Sequence, residues 1–231
     1  MSQSKPATVV LVHGAWADAS SWREVIKRLQ QAGIPVVAVQ NPTSSLADDV
    51  EATRRTLANV EGPVVLVGHS WGGTVITEAG LDPKVKALVY VAAFAPDAGQ
   101  STGDQVGLFA PPPGLSTVAP DANGALRMSE EGWLTNVAQD LPPEEARVLA
   151  AVQPPLPMVT FGEKVSTPAW QSRPNWYIVA TEDRAVSVEL QRSLVTKLKA
   201  QSIELKSSHM PLLSHPAAVA DFIAQAVAAV N

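Results

Sequence analysis

The sequence predicts an α/β protein built on a doubly wound, mostly parallel six-stranded sheet. Six short runs rich in β-branched residues recur along the chain, and segments with helical periodicity separate most of them. Nearly continuous apolar strands that alternate with helices are typical of a parallel sheet covered on both faces. The predicted strands are residues 8–12, 35–39, 63–67, 85–91, 176–180 and 202–205.

The predicted helices are marked by apolar residues three or four positions apart. These residues are Trp22, Ile26 and Leu29; Leu46, Val50, Thr53 and Leu57; Leu190, Leu194 and Leu198; and Val219, Ile223 and Val227. The alternation stops between about residues 97 and 173, where most of the prolines fall. We interpret 97–173 as an insertion between the fourth and fifth strands, with one or two short helices, inside a single domain of residues 1–231. A long segment above the carboxyl ends of strands is the expected place for a substrate lid, although it could also be purely structural.

Composition excludes several classes of function. The net charge of -5, with 17 basic and 22 acidic residues, provides no basic stripe, so no nucleic-acid partner is expected. The zero cysteine count excludes disulfides, thiolate metal sites and a thiol nucleophile. The polar start MSQSKPAT lacks the pattern of a signal peptide, and the apolar stretch 216–230 is too short to span a membrane. We therefore predict a cytoplasmic protein without a membrane partner, and the oligomeric state stays open.

One motif joins a predicted strand to a predicted helix. The sequence GHSWGG, residues 68–73, follows the apolar run 63–67 and precedes a helical segment that begins near Thr74. In a G-x-S-x-G turn the serine occupies a strained position, and glycines are needed where strand and helix crowd together. The strain presents the hydroxyl to the cleft, so Ser70 is the predicted nucleophile. An idle serine in a glycine-rich turn is the alternative.

A serine hydroxyl needs a histidine as base and a carboxylate that orients this histidine. In this kind of fold the acid follows the penultimate strand and the histidine follows the last one. Glu182 and Asp183 both follow the fifth predicted strand, and we favour Asp183. We favour His209 over His215, because His209 directly leaves the last strand whereas His215 adjoins the terminal helix.

The loop after the first strand is predicted to complete an oxyanion hole. The backbone N–H groups of Ala15 and Trp71 are the two expected donors, the second because it follows the nucleophile. His13 is expected to shape this loop rather than to act in catalysis. His69 adjoins the serine in the chain, so it is expected to pack beneath the turn instead of serving as the base.

Five segments together resemble a known family. They are LVHGAW, LVGHSWGG, VAAFAPD, YIVATEDRAVSVELQRS and SSHMPLLSHP. They resemble the plant methylesterase and hydroxynitrile lyase branch of the α/β-hydrolase superfamily. The chain looks like a short, bacterial-type esterase of this branch, because its insertion looks shorter than that of the plant enzymes. The resemblance implies the α/β-hydrolase fold, a triad of Ser70, Asp183 and His209, and oxyanion donors at Ala15 and Trp71.

The resemblance also separates two chemistries. Lyases of this branch look to have threonine where this chain has Gly14 and lysine where it has Met210. The resemblance therefore favours an esterase.

The sequence thus predicts a serine hydrolase that cleaves small hydrophobic or aromatic carboxylic esters through an acyl-enzyme on Ser70, without a cofactor or a metal. The expected partner is a small-molecule ester. The residues expected to contact the substrate are Gly14, Trp16, Phe94, Leu108, Phe109, Trp133, Met158 and Met210. Two alternatives stay open at this point: a ligand-binding, receptor-like protein with little turnover, and a lactonase, carbon–carbon bond hydrolase or lyase on the same triad.

Overall fold

The computed structural model describes residues 5–231, so residues 1–4, where the segment tested for a signal peptide begins, lie outside the described residues. The strands within 5–231 are β1 (Thr8–Val12), β2 (Val36–Val39), β3 (Val64–His69), β4 (Val85–Val91), β5 (Val118–Pro120), β6 (Ala125–Met128), β7 (Leu156–Pro157), β8 (Asn175–Ala180) and β9 (Gln201–Leu205). Six of them form one sheet in the order β2-β1-β3-β4-β8-β9. Every neighbouring pair in this sheet is parallel, so the carboxyl ends of all six strands lie at one edge.

Helices connect these strands, and four of the helices within 5–231 begin at a serine whose side chain caps them. The helices are α1 (Arg23–Gln31), α2 (Leu46–Ala58), α3 (Trp71–Ala79), α4 (Thr102–Val106), α5 (Glu130–Gly132), α6 (Pro143–Val152), α7 (Val188–Lys197), α8 (Pro211–Ser214) and α9 (Pro216–Val230). Ser45 accepts a hydrogen bond from the Asp48 amide at the start of α2, and Ser187 accepts one from the Leu190 amide at the start of α7. Within residues 5–231, no helix combines the length and the apolar character that crossing a membrane requires.

The sheet is covered on both faces. Val9 and Leu11 of β1 pack in a cluster with residues of α1 and α9. The alternate residues Val10 and Val12 pack in a second cluster with residues of α2, α3 and α7. Successive side chains of a strand point to opposite faces, so the two clusters are the two sides of one sheet. The predicted doubly wound α/β fold is confirmed.

The chain between β4 and β8 holds more structure than the sequence pattern indicated. It contains the helices α4, α5 and α6, a π-helical turn over Trp133–Val137, and an antiparallel sheet in the order β5-β6-β7. These strands are two to four residues long, too short for the alternation of polar and apolar residues that identifies a strand. The Trp16 indole N–H donates to the Leu126 carbonyl at 2.8 Å, which ties this segment to the loop after β1.

Backbone segments approach very closely where β3 turns into α3. A Cβ atom on Gly72 would lie 2.5 Å from the Val12 carbonyl oxygen and 2.8 Å from that of His13. A Cβ on Gly68 would collide with the Gly72 backbone, and one on Gly73 with the Phe94 carbonyl. Only glycine fits at these three positions, because the obstructing atoms belong to the backbone of neighbouring strands and loops.

We expect Gly72→Ala to lower the free energy of unfolding by about 2 kcal/mol or more, since the added methyl must displace backbone in the core. Gly162→Ala is the matched control, because a Cβ there has no heavy atom within 4 Å. Its effect should stay within about 0.5 kcal/mol. Urea denaturation followed by circular dichroism measures both variants. Equal stability of the two would show that the turn accommodates a side chain.

Candidate active site

Ser70 occupies the tip of the turn between β3 and α3. Its φ of 53° and ψ of -121° lie in a region that a non-glycine residue rarely adopts, at a cost of about 1–3 kcal/mol. Its amide donates to the Val91 carbonyl at 3.2 Å, and its carbonyl accepts from the amides of Gly73 and Phe94. These bonds to β4, to the segment after it and to the first turn of α3 hold the strained conformation, which matches the turn that the motif predicted.

The structure brings Asp183 and His209 together from two adjacent strands. Asp183 follows β8 and His209 follows β9, and these strands pair from Trp176 and Gln201 to Ala180 and Leu205. The His209 Nδ1 atom lies 2.7 Å from Asp183 Oδ2, and the Asp183 side chain is completely buried. A carboxylate at this distance makes Nδ1 the protonated nitrogen and leaves Nε2 as the free base. Glu182 is not placed to orient His209, because its side chain lies at the surface, with Oε1 3.7 Å from Lys206 Nζ.

Three further donors fix the Asp183 carboxylate. The amides of Ala185 and Val186 donate to Oδ1 at 2.8 and 2.9 Å. The Gln191 side-chain amide donates to Oδ2 at 2.9 Å, and its oxygen accepts from the Ala180 amide. Gln191 is completely buried, so this polar residue belongs to the site although the sequence analysis did not identify it. The sequence feature that could have identified Gln191 is its position next to Leu190, on the inward face of α7.

Ser70 and His209 line the same cavity, which has a volume of about 540 Å³ including its mouth. The lining consists of Ala15, Trp16, Ala17, His69, Ser70, Phe94, Val106, Leu115, Met128, Trp133, Val137, Phe161, Ala185, Val186, His209 and Met210. Apart from Ser70 and the two histidines, these side chains are apolar or, in the tryptophans and methionines, nearly so. No hydrogen bond joins Ser70 Oγ to another residue of the part of the chain that the structure describes.

Four predicted contact residues, Trp16, Phe94, Trp133 and Met210, do line this cavity. Three others, Leu108, Phe109 and Met158, do not line it. Leu108 and Met158 have exposed fractions of 58% and 59%, because they lie on the outer side of the inserted segment. Phe109 instead packs against the cluster that contains α2 and α3.

Eight other residues of the wall were not predicted from the sequence: Ala17, Val106, Leu115, Met128, Val137, Phe161, Ala185 and Val186. Five of the eight, from Val106 to Phe161, belong to the segment between β4 and β8, where no regular period marks inward-facing positions. The Phe161 ring also contacts Trp16 and Trp71, with ring centroids 5.8 and 5.6 Å apart.

The two predicted oxyanion donors lie next to Ser70 and have no acceptor among residues 5–231. Trp71 is the first residue of α3, so its amide has no partner within the helix. Ala15 lies in the cavity wall after Gly14. A Cβ on Gly14 would come within 2.9 Å of Ser70 Cβ, so glycine there lets the loop after β1 approach the serine. Gly14 therefore lies beneath the serine rather than in the cavity wall.

His13 and His69 occupy structural positions. The His69 Nε2 atom lies 2.7 Å from the His209 carbonyl oxygen and must donate to it. His13 Nδ1 lies 2.9 Å from the Gly14 carbonyl oxygen. Burial lowers the pKa of His13 below its ordinary value of 6.5 and lowers the pKa of His69 much further, where His209 adds to the effect. His215 directly precedes α9, but its side chain forms no capping bond, and its Nδ1 atom lies 2.9 Å from Ser214 Oγ.

The fold is that of the α/β hydrolases. The model of the α/β hydrolase family matches residues 9–222, so the chain belongs to that family. Methylesterase 7 of Arabidopsis thaliana is 27% identical over 245 residues, which covers 94% of both chains. The α/β hydrolase nvfD of Aspergillus novofumigatus is 26% identical over 245 residues and covers 96% of both.

A solved structure has the same fold. The pyrethroid hydrolase from Sphingobium faniae superimposes with a TM-score of 0.81 at 23% identity, covering 96% of this chain and 98% of that one. The resemblance to the methylesterase branch is confirmed by the sequence relatives, which include several esterases and hydrolases.

We expect the free energy of unfolding to fall as the pH is lowered below about 6.5, because His13 and His69 stay neutral in the fold while the unfolded chain takes up their protons. Each histidine can contribute up to about 1.4 kcal/mol per pH unit. His69→Gln keeps a donor for the His209 carbonyl and should flatten this slope. Urea denaturation at pH 5.5 and 7.5 measures it, and an unchanged slope in the variant would contradict the assignment.

Proposed function

We propose that this chain is a serine esterase with Ser70 as nucleophile, His209 as general base and Asp183 as the orienting acid. The observation that carries the proposal is the buried Asp183–His209 pair, 2.7 Å apart, in the wall of the same apolar cavity as a strained serine. A strained elbow and an oriented histidine have no use in a purely structural turn. The esterase and hydrolase names of the sequence relatives support the same chemistry.

The mechanism follows from which atoms carry protons. His209 Nε2 takes the proton of the Ser70 hydroxyl as Oγ bonds to the acyl carbon. Asp183 keeps the other proton on Nδ1 and stabilises the imidazolium that forms. The amides of Ala15 and Trp71 then stabilise the oxyanion, and α3 adds the positive end of its dipole. His209 returns the proton to the departing alcohol, and an activated water cleaves the acyl-enzyme in the same way.

The cavity wall favours small, neutral, apolar esters. Among residues 5–231 it contains no acidic or basic side chain apart from the histidines, so a charged group of the substrate would lose its hydration without gaining a partner. Trp16, Phe94, Trp133 and Phe161 surround the space with aromatic rings. We propose that the segment 97–173 acts as the lid of this site, since it supplies Leu115, Met128, Trp133, Val137 and Phe161 to the wall.

Two positions weigh against lyase chemistry. A side chain at Gly14 would come within 3.1 Å of His69 Nδ1 and 2.9 Å of Ser70 Cβ, so the threonine of the lyases would require the loop to shift. Met210 places a buried thioether beside His209, where the lyases look to have a cationic lysine. The site therefore lacks both groups that would hold and release a cyanohydrin.

Ser70→Ala tests the nucleophile. We expect the variant to stay folded and to lose at least about 10³-fold in kcat on p-nitrophenyl acetate, because the remaining groups can only bind and polarise the ester. A fluorophosphonate should label wild type at Ser70 and leave the variant unlabelled, as intact-mass spectrometry would show. Equal turnover by the folded variant would exclude Ser70. Tight ligand binding by an unreactive wild type would favour a receptor-like protein.

A matched pair of substrates tests the chemical class. Methyl butyrate and the monomethyl ester of succinic acid differ mainly in the charge at the end of the acyl chain. We expect kcat/KM for the charged ester to be lower by about 10²-fold or more, because its carboxylate would enter an apolar wall unpaired. Alkali titration at constant pH measures both rates. Comparable rates would show that the charged end reaches solvent or a cation outside the cavity.

A further inference from the structure

A second buried carboxylate lies near Ser70 and has no part in the triad. Asp49 of α2 is completely buried. Its Oδ2 atom accepts hydrogen bonds from the Trp71 indole N–H at 2.7 Å and from the Asn41 side-chain amide at 3.0 Å. Its Oδ1 atom accepts from the Thr43 amide at 2.7 Å. Asp49 thus joins α2, the loop after β2 and the first residue of α3.

Burying this charge is costly. Burial raises the pKa of Asp49, while the hydrogen bonds from Trp71, Asn41 and Thr43 oppose that rise. Each of the three partners donates and none accepts, which is the arrangement that a carboxylate requires. Thr43, whose amide donates to the carboxylate, adopts a φ of 59°, a rarely occupied conformation. A leucine or valine would pack at a buried helix position without these costs, so general stability does not account for the aspartate.

The contact that separates Asp49 from ordinary packing is its bond to Trp71. Trp71 directly follows Ser70, and its backbone amide is one of the two proposed oxyanion donors. Its indole is completely buried between Asp49 on one side and Phe161 of the cavity wall on the other. Because side chain and amide share one Cα atom, a hydrogen bond that fixes the indole also limits the rotation of the amide.

We propose that Asp49 is a positioning residue of the oxyanion hole, which acts by holding the Trp71 indole so that the Trp71 amide points at the developing oxyanion. The inference rests on the proposed esterase function. A misdirected amide weakens binding of the transition state more than binding of the substrate, so the loss appears in kcat and leaves KM nearly unchanged. A purely structural Asp49 would instead affect the thermal stability alone.

The test compares wild type with Trp71→Phe, Asp49→Ala and the double variant, with Asp48→Asn as control. Trp71→Phe removes the indole N–H and keeps an aromatic ring against Phe161. Asp48 is the adjacent carboxylate of α2 and is exposed, where it accepts from Ser44 Oγ. The readouts are kcat and KM on p-nitrophenyl acetate, the inhibition constant of phenylboronic acid as a tetrahedral analogue, and the melting temperature.

We expect Trp71→Phe to lower kcat by about tenfold to a hundredfold, the range that follows from a misplaced catalytic group. KM should change by less than about threefold, and the boronic acid should lose affinity by a factor close to that in kcat. The double variant should lose no more kcat than Asp49→Ala, since both changes remove one interaction. Asp48→Asn should match wild type.

Unchanged kcat and boronate affinity in folded Trp71→Phe would overturn the inference while the esterase function stands. The inference would also be overturned if the loss in kcat of the double variant equalled the product of the two single losses, because Asp49 would then act independently of the Trp71 indole. If Asp49→Ala does not fold, the kcat and boronate affinity of Trp71→Phe alone test the inference. Failure of the proposed function is distinguishable, because wild type would then neither hydrolyse the ester nor react with a fluorophosphonate at Ser70, and both proposals would fall together.

Discussion

The close approach of backbone around the turn between β3 and α3 is the constraint on which the rest of the site depends. Gly68, Gly72 and Gly73 let this turn lie against the loop after β1 and the end of β4 without intervening side chains. Ser70 can then keep an unfavourable φ, because its amide bonds to β4 and its carbonyl bonds to the segment after β4 and to α3. The packing of β3, which is fully buried, and of β4, in which every residue except Lys86 is buried, maintains a backbone strain that an isolated turn would release.

The remaining groups are placed by the order of strands. The loops after β8 and β9 bring Asp183 and His209 together because these strands pair directly. His69 connects that pair to the elbow, since its ring donates to the His209 backbone while its own chain position adjoins Ser70. Short hydrogen bonds between buried groups thus fix Asp183, His209 and the turn at Ser70 relative to one another, although these residues are far apart in the sequence. They limit the movement of the His209 ring relative to Ser70.

Two buried carboxylates flank the serine, and each is saturated by donors. Asp183 accepts from two backbone amides, Gln191 and His209. Asp49 accepts from Trp71, Asn41 and the Thr43 amide. A buried charge is tolerated only when its hydrogen-bonding capacity is met, and residues from several elements must be placed to meet it. Both carboxylates therefore lie behind the cavity wall, bonded to protein donors, and the wall itself is apolar.

The sequence by itself determined the alternation of strands and helices, the sharp turn at Ser70 and the positions of Asp183 and His209 after the last two strands. These features depend on local periodicity, on glycines at close approaches and on chain order in a parallel sheet. The tertiary structure alone decided the shape of the cavity and the network around it. Leu115, Met128 and Phe161 enter the wall while Leu108 and Met158 face outward, because short strands and turns have no period that assigns a side. Gln191 and Asp49 are polar residues whose roles depend on partners that the fold, and not their neighbours in the chain, brings within hydrogen-bonding distance.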